Sequence, residues 1–359
     1  MASIGVIARR AVCAEAIPNS RDGDCFAALA MTRCDITMNP ADFLAKVKFE
    51  TVPCDFCGTE EAQVLFEGPD RLHKLPGVFR WVRCNNCGWL RQNPRPTRDT
   101  IDAYYPAGYE PYIKAIDDEP SLWGRWDRRY GMIKRCRAIM HYQPRGRLLD
   151  VGCATGTFMY EMKRLGGWKV WGIEPNERAA AYARQRFGFD VHVGTLQDVD
   201  LPPGSFDVVT LWNVLEHLHT PRADLVRVHQ LLKEGGLLVL SIPNLEGLGA
   251  RLFGPLWLGW DLPRHLYLPS RHALIKSLNE LGFTVEAMKC LSGSHSAFGI
   301  SLQFYVEDRF PTRHWPRRLL QIYRSLPVRL LAGPFFWLLN QANLAPIITV
   351  FARKTVVSL

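Results

Sequence analysis

The chain has 359 residues, 47% of them hydrophobic and 22% charged, which is ordinary for a globular protein and excludes disorder, a collagen helix and a heptad rod. No run of about 20 apolar residues marks a transmembrane helix, and no period of roughly 20–50 residues repeats as in a solenoid or propeller. The formal net charge is +9, and most of the excess sits at the end: from Arg309 to Leu359 there are eight basic residues and no acidic one. Such a tail can face nucleic acid, an anionic membrane or an acidic substrate.

Residues 1–49 read as a disordered leader. The apolar stretch Ile4 to Ala8 is cut short by Arg9 and Arg10, and a secretory signal needs ~7–15 apolar residues. Residues 50–93 carry two matching turns, Cys54-x-x-Cys57-Gly58 and Cys84-x-x-Cys87-Gly88. Glycine tolerates the positive φ of a turn that points two thiolates at one metal. Two such turns make a closed, tetrahedral four-cysteine zinc site. A unit this small buries too little core to stand alone, so a metal is a reasonable staple. The stretch is therefore predicted to be a zinc ribbon, with a redox dithiol or four unrelated core cysteines as the alternatives. The other six cysteines show no pairing pattern. That points to a reducing, cytoplasmic compartment rather than a secreted disulfide framework.

Residues 94–145 form a connector with a helix from Ser121 to His141, ended by Pro144 and Gly146. From 146 to 359 strand and helix signals alternate. The strands are RLLDVG, WKVWGIE, FDVHVG, FDVVTLW, GLLVLSIP, FTVEAMKC and IITVFARK. The helices run from Thr157 to Leu165, Asn176 to Arg186, Pro221 to Leu232 and Arg271 to Leu281. This alternation predicts an α/β fold with a mostly parallel sheet. Ligands then bind beyond the carboxyl ends of the strands.

The run Asp150-Val-Gly152-Cys153-Ala154-Thr155-Gly156 follows a strand and opens a helix. Its D-x-G-x-x-x-G spacing is neither a dinucleotide fingerprint nor a P-loop. An acid just before the turn favours a cofactor with a positively charged group. The second strand ends in Glu174-Pro175-Asn176, where a carboxylate can take both hydroxyls of a ribose. With SFDVV, VLEH and LLKEGGLLVLSIP following in order, about residues 145–290 resemble the class I S-adenosylmethionine-dependent methyltransferases. The cysteine turns and PRPT segment ahead of them resemble a subgroup with an N-terminal zinc ribbon. The resemblance implies a Rossmann-like, seven-stranded sheet and S-adenosylmethionine as cofactor. It puts Asp150, Gly152, Cys153, Ala154 and Gly156 in the loop under the methionine and ribose, and Glu174 with Pro175 at the ribose. Thr195 and Leu196 would lie near the adenine, Thr195 standing where many members have Asp. Asn213 would lie near the sulfonium.

Methyl transfer is chiefly positioning, but an alcohol or phenol acceptor must also lose a proton. Strand four lacks the Asn/Asp-Pro-Pro-aromatic run of base N-methylation, so a nucleic-acid partner is not expected. Its Leu215-Glu216-His217 run resembles small-molecule O-methyltransferases, including those of ubiquinone biosynthesis. His217 is the predicted base, since an ordinary imidazole titrates near neutral pH, with Glu216 beside it. The alternative is that both merely pack the next segment. Some of that group use Glu-x-x-Glu-His for a divalent metal. Asn213 at the first position leaves that triad incomplete, and no catalytic metal is expected.

The loop from Gly254 to Tyr267 carries Trp257, Trp260, Asp261, Arg264 and His265. It suits a sugar or polyol, or a lid over the methyl donor. Residues 291–345 are an insertion before the last strand, with arginines among leucines and aromatics. It is predicted to be an interfacial or partner-binding helical pair that touches the inner face of an anionic membrane through 309–340. The alternative is a helical cap over the active site. The expected enzyme O-methylates a small molecule, sugar or lipid-linked glycan. An RNA or protein methyltransferase, using the ribbon and basic tail for recognition, is the first alternative. A non-catalytic zinc-ribbon adaptor is the second, and the Asp150, Gly152, Gly156 and Glu174 set speaks against it.

Overall fold

In a computed structural model, residues 39–106, 122–291, 294–312 and 315–355 are described. The leader as far as residue 38 lies outside them. Its last part departs from the expected disorder. Pro40–Leu44 form helix α1, capped by the Asn39 side chain, and Phe49–Glu50 form strand β1. Phe43 and Val47 are buried in one cluster with Phe79, Trp81 and Tyr104, which holds this segment down.

The ribbon follows as β2 (Ala62–Pro69), β3 (Val78–Cys84) and β4 (Leu90–Gln92), and β5 (Arg95–Pro96) pairs with β1. Helix α2 spans Leu122–Tyr142 and buries Cys136 and Ile139 against Leu148 and Phe158. The strand–helix alternation then unfolds as β6 (Arg147–Val151), α3 (Thr157–Gly166), β7 (Lys169–Glu174), α4 (Glu177–Phe187), β8 (Asp190–Val193), β9 (Phe206–Trp212), α5 (Pro221–Leu231) and β10 (Leu232–Pro243). After β10 come α6 (Leu248–Phe253), β11 (Tyr267–Leu268), α7 (Arg271–Glu280), β12 (Phe283–Lys289), α8 (Ser294–Arg309), α9 (Trp315–Arg324), α10 (Leu326–Gln341) and β13 (Ile347–Lys354). Asn176 caps α4 through Ala179 N, and a proline opens α5, both as expected of a first turn.

Seven strands make the central sheet, in the order β12-β13-β10-β9-β6-β7-β8. These are the seven predicted runs. β10, β9, β6, β7 and β8 are parallel, whereas β13 runs antiparallel between β10 and β12. Leu148, Leu149, Val208, Val209 and Leu237 to Leu240 are fully buried. Strands covered on both faces read as unbroken apolar runs rather than alternating ones.

The ribbon is not a separate body. Its four-stranded sheet, β11-β4-β3-β2, takes its last strand from the loop after β10. Trp89 Nε1 donates to Ser277 Oγ at 3.0 Å, and Asp55 accepts from Arg222 N at the start of α5 at 2.7 Å. Cys54, Cys84 and Trp89 share the buried cluster of Leu149, Leu211 and Leu240. A ribbon with too few apolar residues of its own borrows the core of the larger sheet.

Candidate active site and four-cysteine centre

The two cysteine turns come together. Cys54 Sγ lies 3.4 Å from Cys87 Sγ, and Cys57 Sγ 3.4 Å from Cys84 Sγ. All four sulfurs fall within 4.8 Å of one another. A zinc tetrahedron with ~2.3 Å bonds has edges of about 3.8 Å, so the donor set fits that ion. Gly58 and Gly88 hold the turns at φ 74° and 77°, with their amides donating to the Cys54 and Cys84 carbonyls. A Cβ there would meet nothing within 4 Å, so the demand is conformational rather than steric. Burial pushes the Cys54 thiol up to about 11. Burial also acts on Cys57, but hydrogen bonds from Thr59 and the neighbouring thiols outweigh it and bring that thiol down to about 6.

The cofactor loop lies at the carboxyl ends of β9, β6 and β7, which are neighbours in the sheet. Gly152 sits at φ 71°, and a Cβ on it would come 2.6 Å from Val214 Cγ2. The side chain is therefore excluded by the turn after β9 as well as by the left-handed backbone. Ala154 N and Asn176 N each donate to the Glu174 carboxylate at 2.8 Å, which ties the loop to the end of β7. Burial raises the Glu174 pKa against these two amides. Burial also raises Asp150 to about 7, although Thr210 Oγ1 donates to it at 2.6 Å and the Arg135 charge opposes the shift. A carboxyl poised there ionises when a cation arrives, which suits a positively charged ligand.

The other predicted cofactor residues divide by what their side chains do. Cys153 is buried with Met159, Ala180 and Ala183, so its thiol packs under the loop. Gly156, at φ 76°, starts α3 and would place a Cβ 3.0 Å from Ala183. Pro175 is exposed at the end of β7. Leu196 is a core side chain, leaving only its backbone for a ligand. Thr195 donates through N and Oγ1 to Asp198 Oδ2 at 2.8 and 2.7 Å, closing a capping box.

Asn213, at φ 56°, turns the chain after β9 and is anchored to Ser241 through its backbone and its side chain. Its Nδ2 donates to Glu216 Oε1 at 3.3 Å. Glu216 is 1% exposed, and its Oε2 has no hydrogen-bond partner. Burial lifts its pKa to about 8. His217 Nδ1 lies 3.0 Å from the Arg264 carbonyl and 3.0 Å from the Tyr105 hydroxyl. A carbonyl only accepts, so Nδ1 carries the proton and Nε2 the lone pair. Burial, helped by His265, brings His217 down to about 3, far below the neutral range assumed from sequence.

The sequence reading missed a partner here. His265 lies with its ring centroid 4.7 Å from that of His217, and its Nδ1 is held by the Gly259 carbonyl at 2.8 Å. Ligand atoms of Glu216, His217 and His265 all fall within 4.8 Å. A carboxylate oxygen with no partner and two imidazoles whose other nitrogens are fixed by carbonyls form a donor set suited to a divalent cation. The triad thought incomplete at Asn213 gains its third member from the loop after β10. The signal was there, in Arg264-His265, but nothing local relates it to His217.

The rest of that loop corrects the sugar-site expectation. Arg264 is fully buried, and its guanidinium bonds Asp70 at 2.7 and 3.1 Å, Asp261 at 2.7 Å and the Tyr104 carbonyl at 3.1 Å. It is committed to the ribbon seam and is not available to a substrate. Trp257 is buried as well. Trp260 alone of this group lines an open cleft of about 530 Å³, with Phe66, Arg83, Leu245 and Glu246.

Residues 127–288 match the family described as a methyltransferase domain. The tRNA U34 carboxymethyltransferase of Idiomarina loihiensis is 30% identical over 148 residues, 38% of this chain and 45% of that protein. A ubiquinone biosynthesis O-methyltransferase of Xanthomonas campestris pv. campestris is 37% identical over 107 residues, 28% of this chain and 44% of that one. The chain thus spans less than half the length of these two relatives. Among solved structures, a SAM-dependent methyltransferase from Archaeoglobus fulgidus is 20% identical, covering 63% of this chain and 94% of its own, with a TM-score of 0.42. The glycine turn after β6, the acid ending β7 and the seven-stranded order agree with the family match, and together they support a class I S-adenosylmethionine-dependent methyltransferase domain over residues 127–288.

Proposed function

We propose that the chain transfers a methyl group from S-adenosylmethionine to a hydroxyl of a small molecule, sugar or lipid-linked glycan, with a structural zinc on Cys54, Cys57, Cys84 and Cys87. The observation that carries this reading is one of position. The turn of Gly152 and Glu174 and the buried group of Glu216, His217 and His265 lie at the carboxyl ends of adjacent strands, joined by Asn213. When bound, the cofactor supplies an electrophilic methyl group on a positively charged sulfur. Glu174 offers a carboxylate for the ribose hydroxyls, and Asp150 ionises against the positive charge. His217 Nε2 is the proton acceptor for the substrate hydroxyl. Buried, it is a weak base, and Glu216 already holds a proton below about pH 8, so the proton that His217 takes as the oxygen gains the methyl passes on to solvent.

Two further readings have specific support. The unpartnered Glu216 Oε2 beside two lone-pair imidazole nitrogens favours a divalent cation held by Glu216, His217 and His265, which would make an acceptor hydroxyl more acidic. The similarity to proteins named tRNA U34 carboxymethyltransferases favours an RNA acceptor and weakens the expectation against nucleic acid. Methyl-labelled S-adenosylmethionine incubated with the protein and fractionated cell extract tests the acceptor class. Label in the small-molecule or lipid-linked pool is expected. Label confined to RNA would overturn the acceptor while keeping the reaction. Assay after chelation, with metal content measured, separates the base from the cation.

A further inference from the structure

The insertion between β12 and β13 leaves a large apolar face uncovered. Helices α9 and α10 form a hairpin against α8, with Leu320, Phe336 and Leu339 turned inward. On the outer side Ile322, Leu330, Trp337 and Leu338 are each 57–60% exposed, and Leu331 is 82% exposed. Arg329 pairs with Asp127 and so ties α10 to α2. On α2, which this pair joins to α10, Leu122 and Trp126 are 80% and 55% exposed. Leu330 and Trp337, and Leu331 and Leu338, are seven apart on α10 and so share one face, and an exposed apolar face marks an interaction site rather than chance exposure.

The charges around it have one sign. Arg309 and Arg318 are exposed, and no acid occurs from Arg309 to the end of the chain. The acids on the elements packed against the hairpin are already engaged. Glu307 pairs with Lys74, Asp308 with Arg71, and Asp127 with Arg329. Two copies meeting through this face by a twofold axis would set arginines against arginines with no acid to offset them. An anionic phospholipid surface fits both features: acyl chains take the leucines, tryptophan sits at the headgroup level, and arginines reach the phosphates. Among the described residues no helix is long and apolar enough to cross a membrane, so a bilayer contact of the hairpin would lie on the surface rather than through it.

We propose that the outer face of α9 and α10, with the start of α2, docks on an anionic phospholipid bilayer. The proposal does not rest on the reaction, and its test does not use activity. The full chain is mixed with vesicles of phosphatidylcholine alone or with phosphatidylglycerol, and sedimented at low and high salt. Binding to the phosphatidylglycerol vesicles is expected at low salt, weakening as salt rises, with little binding to phosphatidylcholine. Leu331→Asp with Leu338→Asp should abolish the binding, and Arg318→Gln should weaken it about fivefold. These side chains are exposed, so the variants should keep the wild-type melting temperature. Absence of wild-type binding at low salt overturns the proposal, as does unchanged binding by the folded double variant. A wild-type dimer that the double variant breaks, with no vesicle binding, overturns it in favour of a second copy.

Discussion

Gly152 and Glu174 set the local geometry of the proposed cofactor loop from different sides. Gly152→Ala must adopt a left-handed backbone and displace Val214, because its Cβ would lie 2.6 Å from Val214 Cγ2. Glu174→Gln keeps the size but removes the charge that holds Ala154 N and Asn176 N. Each should weaken S-adenosylmethionine by at least about tenfold in calorimetry, equivalent to ~1.4 kcal/mol. Unchanged affinity in both would mean the cofactor lies elsewhere. The buried pair downstream makes a pH prediction. Glu216 holds its proton to about 8 when folded, against an ordinary value of 4.5. The folded state then binds more protons than the unfolded state between these values, so this group costs stability increasingly as pH rises through that window. His217 has the opposite sense: folded near 3 against an ordinary 6.5, its contribution is present above 6.5 and is lost as pH falls toward 3. Denaturation at a series of pH values should show Glu216→Gln gaining on wild type from pH 5 to 8. A difference that stays flat with pH would show that Glu216 titrates normally.

At the scale of elements, the seam between ribbon and sheet matters most. β11 completes the ribbon sheet, and Leu266 N, next to it, donates to the Glu216 carbonyl at 2.6 Å. Gln92 N, on β4, donates in turn to the Leu266 carbonyl at 2.9 Å. The ribbon thus sets the loop that carries His265. The fully buried Arg264–Asp70 pair locks the same loop from the other side. Removing Asp70 leaves Arg264 with Asp261 as its remaining carboxylate, so the cost falls below the ~3–5 kcal/mol of a fully stranded buried charge. Asp70→Asn should therefore lower the melting temperature by several degrees. It should also reduce activity, because His217 Nδ1 rests on the Arg264 carbonyl. A variant with normal stability would mean that the pair is relaxed by water in solution.

For the whole molecule, a shared core implies shared unfolding. Cys54, Cys84 and Trp89 pack among strand residues of the central sheet. If the four cysteines hold zinc as proposed, its loss should destabilise the central sheet, and not the ribbon alone. Calorimetric melting of protein treated with a strong chelator, or of Cys84→Ser, should show one transition at a lower temperature. Two separate transitions, with the upper one unmoved, would show that the ribbon is an independent body.

Local chemistry determined much of this in advance. Apolar runs with flanking turns identified all seven strands of the central sheet, because a strand buried on both faces has little freedom in composition. Cys-x-x-Cys-Gly identified the thiol turns, because few residues other than glycine take the left-handed step they need. Asp150, Gly152 and Glu174 stood out because a turn between a strand and a helix has strict backbone demands. What the tertiary structure decided were pairings across long separations. Phe43 and Val47 lack a helical period long enough to announce an ordered segment, and their burial depends on Trp81 and Tyr104. Arg264 reads as a ligand-binding side chain until Asp70, 194 residues away, takes its guanidinium. His265 joins His217 only because β11 is drawn onto β4. The pKa of His217 followed neither its residue type nor its neighbours in sequence, because desolvation belongs to the packed interior and not to the chain.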